Sequence, residues 1–156
     1  MDSQSFSYLF AAFLLATLAL KLWLGMRQLR HVANHRDVVP AQFAQKIPLA
    51  AHQKAADYTI AKTRLKLVML VVNAVVLVGF TLLGGLQWLS LQIIQLAGPG
   101  MVYQIGLIAA VMLISGAVDL PFEYYKQFTL EEKFGFNKMS PGLFFGDLMK
   151  STAIGA

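Results

Sequence analysis

Long apolar runs alternate with shorter polar segments along the chain, and this alternation predicts its elements. The first run, Phe6–Met26, holds 21 residues and one charge, Lys21. At 1.5 Å per residue, a helix of this length covers roughly 30 Å, the thickness of the hydrocarbon core of a bilayer. Similar runs cover about 67–83 and about 101–120. The pattern predicts an all-α, polytopic membrane domain over residues 1–156, with three full spans and the start of a fourth.

The second apolar stretch needs an interruption. Residues 65–96 form a run of 32 residues, which is too long for one straight crossing. Because Gly84 and Gly85 divide the run, either the span ends near Leu83 and residues 86–96 lie at the outer interface, or one tilted helix projects beyond the bilayer. Asn73 is expected to face protein or water, since lipid offers its amide no hydrogen bond.

A basic connector, residues 27–66, separates the first two spans. It holds eight of the 13 Lys and Arg residues. Because loops rich in Lys and Arg stay on the cytoplasmic side, the connector is predicted to be cytoplasmic and the N-terminus to lie outside. Arg27–Asn34 can continue the first helix, and Pro48 can start a helix that runs into the second span. Lys21 is expected to extend its ammonium to the headgroup layer.

A polar segment follows the third span and is predicted to be a cytoplasmic loop over residues 121–139. It combines aromatic residues, charges and Gly135, which is suited to a positive φ. Ser140 and Pro141 then form a typical helix start, as N-cap and first helical residue. The fourth helix, residues 140–156, is still entering the membrane where the sequence stops. We therefore expect the chain to be part of a longer protein.

Composition agrees with a membrane protein and excludes several function classes. The chain is 57% hydrophobic and 13% charged, against about 25% charged in soluble proteins. It contains no cysteine, so thiolate metal sites and a cysteine nucleophile are excluded. The net charge of +5 does not indicate nucleic-acid binding, because the cations cluster between apolar runs.

The histidines do not form a recognisable zinc motif. His31 and His35 are four residues apart, so a helix would place them on one face. A zinc protease helix of the HExxH kind needs a glutamate directly after the first histidine, and Val32 stands there. The sequence therefore predicts no catalytic residue, no metal ligand and no cofactor within this chain.

Two stretches carry a resemblance to a known family. They are RHVANHRDVVPAQFAQKIPLAAHQKAADYTIAKTRLK and LPFEYYKQFTLEEKFGFNKMSPGLFFGDLMK, and their most specific part is Phe128–Asn137, FTLEEKFGFN. Together they resemble the N-terminal membrane domain of type I CAAX prenyl endopeptidases in their bacterial form. These are integral-membrane zinc metalloproteases, so the resemblance implies a parent enzyme that cuts peptide substrates and sits in the bacterial inner membrane.

The resemblance also implies what this chain does not contain. In the family, zinc is bound by an HExxH helix and a more distant glutamate, and no HExxH occurs here. The zinc domain is therefore expected downstream in the same polypeptide, and this chain alone should be inactive. Its implied role is to anchor the enzyme in the lipid bilayer, to form part of the chamber wall and to brace the zinc domain.

The residues predicted to brace or dock the zinc domain lie at the cytoplasmic membrane boundary. Two glutamates and an asparagine exceed what a simple turn requires, although the segment can also be a turn that only joins two helices. The candidates are Glu131, Glu132, Phe134, Phe136, Asn137 and Asp147.

Two other function classes stay open from the sequence. One is a small multi-span carrier or channel subunit, with Asn73 and Asp119 lining a path. The other is a membrane scaffold whose basic helix binds a cytoplasmic partner or anionic lipid.

Overall fold

The chain is helical almost throughout. The computed structural model describes residues 2–155, except for the side chains of Ser3 and residues 152–155. Five α-helices and one π-helical segment follow in order: α1 Ser3–Asn34, α2 Leu49–Thr81, α3 Gly85–Ala97, α4 Met101–Tyr125, the π-helical segment Lys126–Glu131, and α5 Pro141–Gly155. The chain divides into two compact units, Met1–Leu86 and Gln87–Ala156.

Three helices are long and apolar enough to cross a membrane. They are Gln4–Asn34, Leu49–Thr81 and Met101–Glu131, with mean hydropathies of 1.9–2.0 in their most apolar stretches, and no residue of those stretches is buried within the protein. Apolar surface on this scale is stable only against lipid or further protein. The prediction of an all-α membrane domain with three spans is confirmed.

The first unit is an antiparallel pair of long helices. Asn34 ends α1, as predicted, and the extended backbone of Pro48 (ψ 143°) precedes α2. The two helices approach closely at Gly25, where an added Cβ would lie 2.5 Å from Leu67 Cδ2. A glycine in α1 therefore allows α2 to pack directly against its backbone.

Gly84 separates α2 from α3 and decides between the two sequence alternatives. Its φ of 78° lies in the left-handed region, which ends the helical path after Thr81. Gly85 then starts α3 with no room for a side chain, because a Cβ would lie 2.7 Å from the carbonyl oxygen of Gly79. The stretch forms two helices, so a single tilted helix is excluded.

The second unit begins with the pair formed by α3 and α4. The hydroxyls of Ser90 and Tyr103 are hydrogen-bonded at 2.6 Å. An added Cβ at Gly106 would lie 3.2 Å from Ile93 Cγ2. The turn Gly98–Pro99–Gly100, with φ of 68° at Gly98 and 141° at Gly100, brings these helices side by side.

The helix that contains the third span continues beyond the end predicted for that span. The sequence placed that end at Leu120 and a loop over residues 121–139, whereas α4 continues through Pro121 to Tyr125 and the π-helical segment extends it to Glu131. Proline has a φ compatible with a helix and removes one backbone hydrogen bond, so a helix can continue past it with a local adjustment. Only residues 134–140 connect this helix to α5 without helical structure.

Candidate functional site at the end of the third membrane helix

A glycine cap ends the helix that follows the π-helical segment. Gly135 has a φ of 75° and donates its N–H to the Glu132 carbonyl at 2.9 Å. Phe136 donates its N–H to the Glu131 carbonyl at 2.8 Å. These two bonds form a Schellman motif, in which the residue after the helix adopts the left-handed conformation. The predicted positive φ at Gly135 is confirmed, and the backbone of both glutamates is held in place.

The side chain of Asn137 joins the connecting segment to the π-helical segment. Its Oδ1 accepts a hydrogen bond from Gln127 Nε2 at 2.8 Å and another from the Met139 N–H at 2.8 Å. The Asn137 N–H also lies 3.2 Å from the Glu131 carbonyl. Asn137 therefore closes the polar side of the turn, which is a structural role for one of the candidate residues.

Apolar packing fixes the other side of the same turn. Leu130 and Phe134 are 5% and 8% exposed, and they are two of four buried apolar residues in the described part of the chain. Phe136, only two residues later, is 54% exposed. Phe134 is therefore part of the core of the second unit, and Phe136 presents its ring at the surface.

An aromatic cluster connects the π-helical segment to α5. The ring of Phe128 lies 4.7 Å from that of Tyr124 and 5.5 Å from that of Phe144, measured between centroids. Both distances fall in the range where edge-to-face and tilted ring pairs are favourable. The start of α5 is further set by Ser140, whose Oγ accepts the Leu143 N–H at 3.4 Å and whose carbonyl accepts the Phe144 N–H at 3.0 Å.

The carboxylates of Glu131 and Glu132 stand beside this rigid turn. Glu131 is half-buried and Glu132 is exposed. Neither makes an ion pair with another residue that the structure describes. The nearby Glu123 instead pairs with Lys126 at 2.9 Å. The end of the third membrane helix therefore carries two carboxylates, Glu131 and Glu132, without a cationic partner among the described residues.

Asp147 lies apart from the other candidates, on α5. Its Oδ1 is 3.9 Å from Lys150 Nζ, and both side chains are exposed. Among the described residues, no hydrogen bond or ion pair joins it to the other five candidates. The structure therefore brings together Glu131, Glu132, Phe134, Phe136 and Asn137 and leaves Asp147 outside this group.

The described residues do not fit a zinc ion. No group of three or more His, Cys, Asp or Glu side chains lies close enough to hold a metal within residues 2–155. The His31 and His35 rings lie 4.3 Å apart, and His35 Nδ1 is 2.8 Å from the His31 carbonyl oxygen. His52 Nε2 lies 3.0 Å from the His35 carbonyl oxygen. The rings of His35 and His52 thus contact backbone oxygens, the His31 ring stacks near His35, and no step of a zinc mechanism can be assigned to these histidines.

A charged cluster in the connector was missed by the sequence analysis. Arg36 binds Asp57 through two bonds, Nε to Oδ1 at 2.7 Å and Nη2 to Oδ2 at 2.9 Å, and its Nη1 also binds Asp37 at 3.0 Å. The hydrogen bond to Asp57 is the main reason why the pKa of Arg36 is raised. Arg36 and Asp57 are 21 positions apart, so no local sequence pattern pairs them. Only the succession of helix, turn and helix around Pro40 and Pro48 could have indicated that the end of α1 lies near the first turns of α2.

Comparison with known proteins relates the chain to one family. The family model described as "CAAX prenyl protease N-terminal, five membrane helices" matches residues 28–156. CAAX prenyl protease 1 of Saccharomyces cerevisiae is 25% identical over 154 residues, which is 92% of this chain and 34% of the yeast protein. The CAAX prenyl protease 1 homolog of Dictyostelium discoideum is 49% identical over 41 residues, 26% of this chain and 10% of that protein.

A solved structure gives the same relationship in three dimensions. The crystal structure of S. mikatae Ste24p superposes with a TM-score of 0.83 at 25% sequence identity, covering 92% of this chain and 34% of that chain. The present chain thus spans about a third of the length of the yeast proteins that it resembles over most of its own length.

Proposed function

This chain belongs to the family of CAAX prenyl protease N-terminal membrane domains, and on that premise we propose that it anchors such an enzyme in the bilayer and braces its zinc-binding domain. The family assignment rests on the match over residues 28–156. The zinc domain, in this proposal, belongs to the same polypeptide and supplies the metal, and the parent enzyme hydrolyses peptides. No comparison favours a carrier or channel subunit or a membrane scaffold.

The observation that carries the bracing role is the construction of the turn at residues 130–137. Its backbone is capped by Gly135, its apolar side is buried through Phe134, and Asn137 closes its polar side. Glu131 and Glu132 project from this rigid base without a cationic partner among the described residues. Carboxylates held in this way are suited to accept hydrogen bonds from a docking domain, and in metalloproteins such partners orient the metal-binding histidines.

The exposed Phe136 supplies an apolar contact for the same docking surface. Its ring is 54% exposed, and its backbone N–H is bound to the Glu131 carbonyl in the capped turn. Interfaces between domains typically combine an aromatic anchor with a polar rim. Glu131, Glu132 and Phe136 are therefore the three residues that we propose contact the zinc domain, whereas Phe134 and Asn137 hold the turn together. Asp147, on α5, is proposed to belong to the chamber wall.

The orientation in the membrane is also proposed from the charges. The connector holds eight of the 13 Lys and Arg residues, so we place it in the cytoplasm and the N-terminus outside, in a bacterial inner membrane. Three crossings then put the end of the third helix, with Glu131 and Glu132, on the same side as the connector.

The bracing role is tested with Glu132→Gln and Glu131→Gln in the full-length protein. Glu→Gln keeps the size of the side chain and removes its charge, so each variant should fold normally. We expect hydrolysis of a prenylated peptide, per folded molecule, to fall by about tenfold, which corresponds to the loss of one charge-assisted hydrogen bond of about 1.4 kcal/mol. Zinc retention during dialysis against a chelator gives a second readout that does not depend on turnover.

Glu123→Gln is the matched control, because this glutamate lies on the same helix but already pairs with Lys126 at 2.9 Å. It should leave both readouts unchanged. If the Glu131 and Glu132 variants keep full turnover and full zinc retention, the bracing role is wrong. Equal losses in all three variants would show a general effect of charge and would also contradict it.

A further inference from the structure

A cleft between α1 and α2 contains two polar groups that the proposed function does not use. The cleft has a volume of about 200 Å³, and Lys21 from α1 and Asn73 from α2 lie in its wall. Thr17 adds a hydroxyl, and Leu14, Leu70 and Leu77 provide apolar surface. The cleft lies entirely within the first unit. It places Lys21 and Asn73 beside apolar walls in the membrane-spanning part of the chain.

The positive charge of Lys21 favours binding of an anion in this cleft. Within the described residues no carboxylate lies within ion-pair distance of it. A cation among apolar groups is costly unless it reaches water or is paired with an anion. Lys21 shares the wall of the cleft with Leu14 and Thr17, and its four-carbon stem is long enough to extend the ammonium from there toward the headgroup layer beside the connector.

The position of the cleft along the helices indicates which anion can reach it. Lys21 lies six positions before Arg27, and Asn73 lies seven positions after Lys66, the last cation before the second span. At 1.5 Å per residue these separations are about 9 Å and about 10 Å, so both polar groups lie at a similar depth. Arg27 lies over the ring of Trp23 at 5.7 Å, an arrangement typical of the membrane interface. Since the interfacial layer is about 5–7 Å thick on each side, the cleft lies just below it, where lipid headgroups join their acyl chains.

We propose that the cleft between Lys21 and Asn73 binds an anionic phospholipid from the leaflet on the side of the basic connector. Lys21 pairs with the phosphate, and the Asn73 amide donates to an ester carbonyl. Leu14, Leu70 and Leu77 contact the first part of an acyl chain. Arg27, at the interface beyond Lys21 on α1, favours a headgroup with net negative charge over a zwitterionic one. This inference is independent of the bracing role and of any zinc domain.

The proposal is tested by native mass spectrometry of the full-length protein titrated with phosphatidylglycerol in detergent. The wild type should retain one phosphatidylglycerol molecule at concentrations where phosphatidylcholine is lost. Lys21→Met should weaken this binding by about tenfold, Asn73→Leu by a smaller factor, and Lys21→Arg should preserve it, because Arg keeps the charge. Comparable thermal unfolding of all variants without lipid shows that their folds are intact.

Lys66→Met is the matched control, since it removes one exposed cation of the same side outside the cleft. It should change the binding less than twofold. The proposal is overturned if Lys66→Met and Lys21→Met weaken binding equally, which would show diffuse attraction to the surface. It is also overturned if phosphatidylcholine binds as tightly, if free glycerol phosphate competes fully for the site, or if a peptide with a free carboxyl terminus binds through Lys21 while phosphatidylglycerol does not.

Discussion

At the scale of single residues, two phenylalanines of similar sequence context have opposite environments. Phe134 is 8% exposed and Phe136 is 54% exposed. The sequence analysis treated both as candidates for docking, because their composition gives no reason to separate them. The difference arises from Gly135, whose positive φ turns the chain between them. Burial at such a position follows from the tertiary contacts of the turn and cannot be derived from residue type or helical periodicity.

The cap at Gly135 leads to a prediction of stability. Gly135→Ala should lower the free energy of unfolding by about 1–2 kcal/mol, because an L-residue with a side chain disfavours the left-handed conformation. Thermal unfolding of the purified protein measures this change.

Gly142→Ala provides the comparison for that substitution. Gly142 lies in the first turn of α5, and an added Cβ there would meet nothing within 4 Å. The alanine should therefore be neutral or stabilising by up to about 1 kcal/mol. If both substitutions shift the unfolding temperature by the same amount and in the same direction, the Schellman cap does not stabilise the turn as described.

At the scale of elements, the helix starts and turns were largely predictable, whereas the π-helical segment was not. Ser140 and Pro141 begin α5, and Gly84 separates α2 from α3, because these residues have strong local preferences. Pro121 was taken as the end of a span, but a proline disfavours rather than forbids a continuing helix. The π-helical segment Lys126–Glu131 has no signal of its own in the sequence, since its hydrogen bonds depend on how its side chains pack.

Deleting one residue tests the role of this segment. A π-helical turn accommodates one extra residue relative to an α-helix, so removal of the exposed Thr129 should restore α-helical geometry and rotate the following residues by about 100°. The rotation would move Leu130 and Phe134 out of their buried positions and separate Gln127 from Asn137. We expect a full-length protein that still inserts into the membrane, with a lower unfolding temperature and at least tenfold lower peptide hydrolysis.

Thr129→Ala separates this effect from loss of the threonine side chain, because it leaves the number of residues unchanged. It should behave as the wild type in both measurements. A deletion variant with wild-type stability and turnover would mean that the π-helical geometry does not position the turn.

At the scale of the whole molecule, hydropathy and charge predicted the class of protein and the number of spans, and the comparisons confirmed the family that the resemblance of the two polar stretches had indicated. The exposed apolar surface of the three long helices explains why these features are visible in the sequence, since every turn of each helix must be apolar to face lipid. The ion pair of Arg36 with Asp57 and the cleft lined by Lys21 and Asn73 bring together residues that are far apart in the sequence. No periodicity within one helix reports such pairs.

The absence of cysteine makes the proposed orientation directly measurable. Single cysteines placed at Gln45 in the connector and at Lys138 after the third helix should react with a membrane-impermeant maleimide only in inside-out vesicles, whereas cysteines at Asp2 and at Pro99 should react in intact cells. The expectation follows from the excess of Lys and Arg in the connector, which keeps that segment in the cytoplasm, and from the three crossings that alternate sides. Residues 1–156 contain no thiol, and labelling of the unsubstituted protein sets the background of the assay. Labelling of Gln45→Cys in intact cells would show that the orientation is the reverse of the one proposed. Labelling of Lys138→Cys from the side opposite to Gln45→Cys would show that Glu131 and Glu132 do not lie on the side of the connector, where the zinc domain is proposed to dock.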